Sequence, residues 1–164
     1  MLTTDPLDEL ARRVLDAARS RGLTIATVES CTGGLVAASL CAIPGASDVF
    51  ERGFVTYTNR AKTEMVGVPP KMLSAHGAVS EPTARAMASG ALDASPCDLA
   101  VSITGVAGPG GGSADKPVGT VLLAVAIRDG GVVHRREQFG DQSREAIQRA
   151  SAASALTLLL DAMR

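Results

Sequence analysis

The sequence predicts an α/β protein, a single three-layer domain built on a mixed β-sheet with helices on both faces. Three observations predict it. Segments with apolar residues at helical spacing alternate with short β-branched runs along the chain, the pattern of strands joined by covering helices. Asp129-Gly130 sits between two β-rich runs and signals a hairpin, so part of the sheet is antiparallel. At 164 residues the chain is long enough for a proper core. Because 46% of it is hydrophobic and only 2% aromatic, that core must be packed from Ala, Val, Leu and Ile. No repeat, linker or low-complexity tract interrupts it, so residues 1–164 read as one domain.

Taken in order, Leu7, Leu10, Ala11, Val14, Leu15 and Ala18 recur at helical spacing and Gly22 stops the helix. An apolar strand follows from Thr24 to Val28, then a turn, then a helix over Leu35–Leu40 that ends before Pro44-Gly45. Val49 to Tyr57 alternates as a strand, with Phe50, Phe54 and Thr56 beside Arg52 on one face and Val49, Val55 and Tyr57 beside Glu51 on the other. A charge on each face points to an edge, a strand end or a site. Asn59 is placed to cap a short helix carrying Ala61, Lys62, Met65 and Val66, stopped by Gly67. Met72-Leu73 adds a helical turn before His76-Gly77. Ser80-Glu81-Pro82-Thr83 starts a helix that runs to about Ala94. Asp98 to Ile103 reads as a buried strand ending at Thr104-Gly105. Thr120–Ile127 and Val132–Phe139 form the hairpin, and Arg144 to Met163 is helical, with Ile147, Ala150, Ser154 and Leu158 on one stripe.

Two loops carry the chemistry. The first is Thr27-Val28-Glu29-Ser30-Cys31-Thr32-Gly33-Gly34, a strand-to-helix junction with three nucleophiles or donors and two glycines. Such a junction aims backbone N–H groups at an anion or a developing oxyanion; its plainer reading is an ordinary turn with Ser30 or Thr32 as N-cap. The second, Gly105 to Ser113, is too glycine-rich for regular structure and reads as a mobile or ligand-wrapping loop. Both follow strands, so both are candidates for one cleft at strand carboxyl ends. Ser30 is the candidate nucleophile. Its base is Lys62, if burial or positive neighbours lower a reference pKa of about 10.4, or His76, which sits in a turn. His134, within a hairpin strand, reads as a surface residue, and Cys31 is a rival nucleophile beside Ser30.

Composition narrows the function classes. A net charge of −1, with no basic run and no aromatic–basic interleaving, argues against nucleic-acid binding. Cys31, Cys41 and Cys97 are odd in number and lack a Cys-x-x-Cys spacing, against a disulfide frame or zinc site. Glu29, Asp48, Asp98 and Asp141 show no ligand-like spacing with histidine, so no metal is expected. The glycine loops fit neither the dinucleotide fingerprint nor the P-loop, and no cofactor is expected. No apolar run is long enough to span a bilayer and the start of the chain carries no apolar secretory stretch. The expectation is a cytoplasmic protein with no membrane partner.

Five motifs appear in order: Glu29-Ser30-Cys31-Thr32-Gly33-Gly34, Gly53-Phe54-Val55-Thr56-Tyr57, His76-Gly77-Ala78-Val79-Ser80, Gly105-Val106-Ala107-Gly108-Pro109 and Lys116-Pro117-Val118-Gly119-Thr120-Val121. Together they closely resemble the CinA C-terminal domain family, from about Leu7 to the last helix. The resemblance implies a metal-independent amidase that converts nicotinamide mononucleotide to nicotinate mononucleotide and ammonia. By motif position it implies Ser30 as nucleophile and Lys62 as base, with Tyr57 and Thr104 beside them. On that reading Lys62 takes the Ser30 proton directly or through Tyr57, and N–H groups of Thr32, Gly33 and Gly34 hold the oxyanion. Thr104 orders the nucleophile. The loop with Gly105 and Gly108, together with Arg144, grips the ribose phosphate. Arg144 here follows Gly140-Asp141-Gln142-Ser143 where family members often carry Gly-Asp-Arg. Family members form oligomers, which makes a homodimer the expectation here. The rival readings are a non-catalytic module binding a nucleotide phosphate, and an amidase of another small amide.

Overall fold

The short strand that leads into Ser30 is mostly apolar, and the chain places it inside the sheet. The computed structural model describes residues 5–164. Strand β1 (Ile25–Glu29) is buried at every position and lies between β2 (Phe50–Val55) and β3 (Leu99–Gly105). The hairpin strands β4 (Thr120–Ile127) and β5 (Val132–Gln138) complete the order β2-β1-β3-β4-β5. β2, β1 and β3 are parallel; β4 and β5 are antiparallel to their neighbours. This is the mixed sheet that the sequence predicts.

Helices α1 (Pro6–Ser20), α2 (Leu35–Cys41) and α6 (Arg144–Ala162) cover one face. Their apolar sides close on Ile25, Val101, Ile103, Leu123 and Val125 through Leu15, Leu40, Ile147, Leu156 and Leu159. On the other face α5 (Glu81–Asp93) lies on the sheet, with α3 (Asn59–Val66) and α4 (Pro70–His76) beside it. Ala84, Ala88 and Ala91 are fully buried there with Met87, and these small side chains let α5 sit close to Val28, Leu122 and Ala124. Each fully buried large side chain of this kind contributes roughly 1.5–3 kcal/mol. Ser80 caps α5, its Oγ accepting from the Thr83 N–H at 3.3 Å.

Three local expectations are corrected. Phe50 and Phe54 do not share a face: Phe50 packs with the α1–α2–α6 core and Phe54 with the α5 core. The register jumps from Ile25↔Phe50 to Ala26↔Arg52, so Glu51 is an extra residue and reverses the alternation. The bulge lies on an edge strand, as charges on both faces of that run suggest. The cap of α3 is Thr58, whose Oγ1 accepts from the Ala61 N–H at 3.1 Å; Asn59 is the first helical residue. The start of α2 is capped neither by Ser30 nor by Thr32 but by the Glu29 carboxylate, which reaches it across the five turn residues 30–34.

Among the described residues, no helix is long and apolar enough to cross a membrane.

Candidate active site

The carboxyl ends of the three parallel strands deliver Ser30, Thr56-Tyr57 and Thr104-Gly105 to one end of the sheet, where open α/β sheets bind ligands. A cleft of about 260 Å³ opens there, lined by Ser30, Lys62, Tyr57, Thr104, Arg144 and the first part of the glycine loop. Ser30 and the residue before it tie this strand end to both neighbouring strands. Its N–H donates to the Ile103 carbonyl at 2.9 Å, and the Thr56 N–H donates to the Glu29 carbonyl at 2.9 Å.

Lys62 lies in the first half of α3 and turns inward. It is 1% exposed, and its Nζ lies 2.9 Å from Ser30 Oγ, 2.9 Å from the Thr56 carbonyl and 3.4 Å from the Tyr57 carbonyl. Among the described residues no carboxylate pairs with it. Burial pushes its pKa below the usual lysine range, against a smaller opposing influence of Cys31. A neutral amine has two N–H donors and one lone pair. As placed, Nζ donates to Ser30 Oγ and to both carbonyls, and the Ser30 hydroxyl donates to the Tyr57 carbonyl at 3.4 Å. On losing a proton the amine keeps two N–H donors for the carbonyls and has a lone pair to turn to the Ser30 hydroxyl.

Cys31, beside the serine, is in a different state. Burial pushes its thiol up to about 12, so at neutral pH it carries no thiolate to attack with.

Of the other predicted site residues, Tyr57, Thr104, Gly105, Gly108 and Arg144 line the cleft, whereas Thr32, Gly33 and Gly34 follow Cys31 in the turn and are not part of the lining. The Tyr57 ring is 55% exposed, and its hydroxyl accepts from Arg144 Nη2 at 2.6 Å. It is the Tyr57 main-chain carbonyl, not the phenol, that faces Ser30 and Lys62. Arg144 also donates through Nη1 to the Gly108 carbonyl at 2.7 Å, so one guanidinium bridges the two rims. Thr104 Oγ1 donates to the Ala78 carbonyl at 2.9 Å and anchors that loop instead of touching Ser30. Gly105 sits where a β-carbon would come within 2.8 Å of the Thr120 carbonyl oxygen. The glycine loop is tied down by Val106 N–H to the Thr120 carbonyl and Gly119 N–H to the Val106 carbonyl.

In the turn after Ser30, the Gly33 N–H is spent on the Ser30 carbonyl at 3.0 Å and the Leu35 N–H on the Thr32 carbonyl at 3.0 Å. The N–H groups of Cys31, Thr32 and Gly34 bond no other described residue. Gly34 begins α2 at φ +103°, a left-handed value that favours glycine.

His76 is exposed and contributes only its carbonyl, which accepts from Lys116 Nζ at 2.8 Å. His134 sits on the surface between Arg85 and Glu81, in line with its reading as a surface residue of a hairpin strand. Three cleft residues are not legible from sequence as part of a site: Asn59, which reads there only as a helix cap, Ala78 and Val79. Asn59 follows directly from the strand-to-helix connection that carries Lys62. The other two follow from the His76–Ser80 motif, whose loop Thr104 holds. Among the described residues, no group of three or more His, Cys, Asp or Glu side chains is gathered to hold a metal ion.

Sheet, crossover helices and cleft define an α/β domain with its site at the ends of parallel strands. The chain belongs to the CinA C-terminal domain family, whose model matches residues 7–163. It is 51% identical over 158 residues to the nicotinamide-nucleotide amidohydrolase PncC of Escherichia coli K12, covering 96% of this chain and 95% of that one. It is 50% identical to a CinA-like protein of Akkermansia muciniphila over 94% of this chain and 37% of that longer protein. Among solved structures, the competence/damage inducible protein CihA of Agrobacterium tumefaciens matches with a TM-score of 0.96 and 48% identity, over 100% of this chain and 99% of that one. A CinA superfamily protein of E. coli matches with a TM-score of 0.91 and 33% identity, over 99% and 93% of the two chains.

Proposed function

We propose that this protein is a nicotinamide-nucleotide amidohydrolase that converts nicotinamide mononucleotide and water to nicotinate mononucleotide and ammonia through Ser30 and Lys62. The near full-length identity to PncC supports the activity and the substrate class. The observation that carries the mechanism is the 2.9 Å contact between Ser30 Oγ and a lysine that is 1% exposed and has no described counter-ion.

Ser30 Oγ attacks the carboxamide carbon while the Lys62 lone pair takes the hydroxyl proton. The new C–O bond pushes charge onto the amide oxygen, which the unpaired N–H groups of the 31–34 turn receive, that of Cys31 lying at the cleft wall. Each such donor is worth roughly 3 kcal/mol of barrier. The tetrahedral centre collapses, the C–N bond breaks, and the Lys62 ammonium gives its proton to the departing nitrogen, so ammonia leaves and an ester on Ser30 remains. Water then attacks the ester with Lys62 again taking the proton, and Ser30 is regenerated. Thr56 and Tyr57 carbonyls hold the amine in place in both protonation states. Arg144 and the glycine loop take the ribose phosphate: the guanidinium now spends its donors on two neutral oxygens, and a phosphate is a stronger acceptor for both.

The test is ammonia release from nicotinamide mononucleotide by the purified, chelator-treated protein, beside Ser30→Ala. Release by the wild type and none by the variant supports the reading. Tight nucleotide binding without release by the wild type would leave a binding module in its place.

A further inference from the structure

We infer that Glu29, the residue before the nucleophile, is a positioning residue that sets the oxyanion donors of the 31–34 turn; this rests on the amidohydrolase reading of Ser30.

A glutamate at the end of a fully buried strand needs an account, because an unpaired buried charge is costly. Glu29 is 1% exposed and no cation pairs with it among the described residues. Its carboxylate is satisfied by donors from the far side of the turn. Oε1 accepts from Thr32 Oγ1 at 2.7 Å and from the Val36 N–H at 2.9 Å, and Oε2 accepts from the Ala37 N–H at 3.0 Å. One side chain thus joins the strand end, the turn and the first turn of α2.

Two consequences follow for the reaction. The helix donors nearest the strand are already used, so α2 itself offers no anion site; the donors left are the Cys31, Thr32 and Gly34 N–H groups of the turn. The turn that carries them, of which Cys31 lines the cleft, is held at both ends, by the Ser30 N–H bond to Ile103 and by the Glu29 bonds to Thr32 and α2. Glu29 makes no contact with Lys62 and is not a proton carrier. Its effect falls on where the oxyanion is held.

Three donors converge on two oxygens, so a carboxamide cannot replace the carboxylate: one of its two positions becomes an NH₂ facing a donor. In Glu29→Gln the turn therefore shifts, and a misplacement of about 1 Å costs roughly a hundredfold in kcat. The donors act on charge present only in the transition state, so KM stays within a small factor while kcat falls. Because Glu29 does not touch Lys62, the acid limb of the pH–kcat/KM profile keeps its midpoint.

The experiment measures kcat, KM, pH profile and thermal midpoint for wild type and Glu29→Gln with nicotinamide mononucleotide, together with the rate at which a fluorophosphonate labels Ser30. A large loss of kcat and of labelling rate, with KM and the acid-limb midpoint held, supports the inference. A lowered thermal midpoint with kcat unchanged makes Glu29 a helix cap only and overturns it, as does a shifted acid limb. If Glu29→Gln does not fold, Thr32→Val removes one of the three bonds alone, and Thr32→Ser restores the hydroxyl. A loss in the first that the second recovers supports the inference; equal rates in both overturn it. Wild type labelled at Ser30 without turnover refutes the substrate reading while the labelling rates still decide the role of Glu29. Wild type neither labelled nor active overturns both.

Discussion

Replacing Lys62 by methionine keeps an unbranched side chain inside α3 and removes the nitrogen that faces Ser30. Two quantities should change. Loss of a positioned general base lowers the rate by roughly 10² to 10⁴, about 3 to 5 kcal/mol of barrier. The second change is in stability, and its sign follows from protonation. In the unfolded chain a lysine is protonated below about pH 10.4. In the folded chain burial lowers the Lys62 value. Between the two values the unfolded chain holds one proton more, so raising the pH favours the folded state. Wild-type stability should therefore climb relative to Lys62→Met by up to about 1.4 kcal/mol per pH unit within that window, and level off near pH 10.4 and below the folded value. The variant also leaves the Thr56 and Tyr57 carbonyls without their amine donor, a loss that does not depend on pH. The slope, not the offset, is diagnostic. Denaturant unfolding of both proteins from pH 6 to 10.5 measures it, and kcat/KM of the wild type should fall on its acid limb through the same lowered value. A difference in stability that is flat across the range would mean that Lys62 is an ordinary ammonium, and the base assignment would fail.

Two further outcomes test packing and nucleophile. Gly90→Ala in α5 should lower the thermal midpoint, although helix propensity alone favours alanine by about 1 kcal/mol. Its β-carbon would overlap the Val66 carbonyl oxygen and lie 2.8 Å from the carbonyl carbon at the end of α3, and overpacking of that kind costs typically 1–3 kcal/mol; a raised midpoint would show that α3 and α5 separate freely. Cys31→Ala should retain ammonia release, since the thiol is pushed to about 12; loss of turnover equal to that of Ser30→Ala would exchange the roles of the two residues.

How much of this the chain discloses depends on the range of the interaction. Element types follow from local period and punctuation, and strand ends that carry Ser30 and Thr104 fall together because parallel strands share a direction. The dyad needs more: Lys62 is one lysine in a short polar helix, and nothing local shows that it is 1% exposed. Motif order pointed to it, and the fold supplies the burial. The errors have the same origin. Ser30 and Thr32 are good caps by type, but Glu29 reaches the helix from seven and eight residues away in sequence. Phe50 and Phe54 alternate correctly until a one-residue bulge, set by pairing with β1, reverses them. The motif points to the Tyr57 ring, whereas the main-chain carbonyl faces the dyad and the hydroxyl meets Arg144, 87 residues on. One signal was available: a lone carboxylate within an apolar strand must find donors somewhere, and the glycine turn next to Glu29 is the nearest source.

The central claim is that hydrolysis passes through an ester on Ser30. Acid-quenching the enzyme during turnover of nicotinamide mononucleotide and mapping its peptides by mass reads this directly. The account predicts the added mass of the acyl nucleotide on Ser30 in the wild type and none in Ser30→Ala. The same mass on Cys31, or rapid turnover by Ser30→Ala, would contradict it.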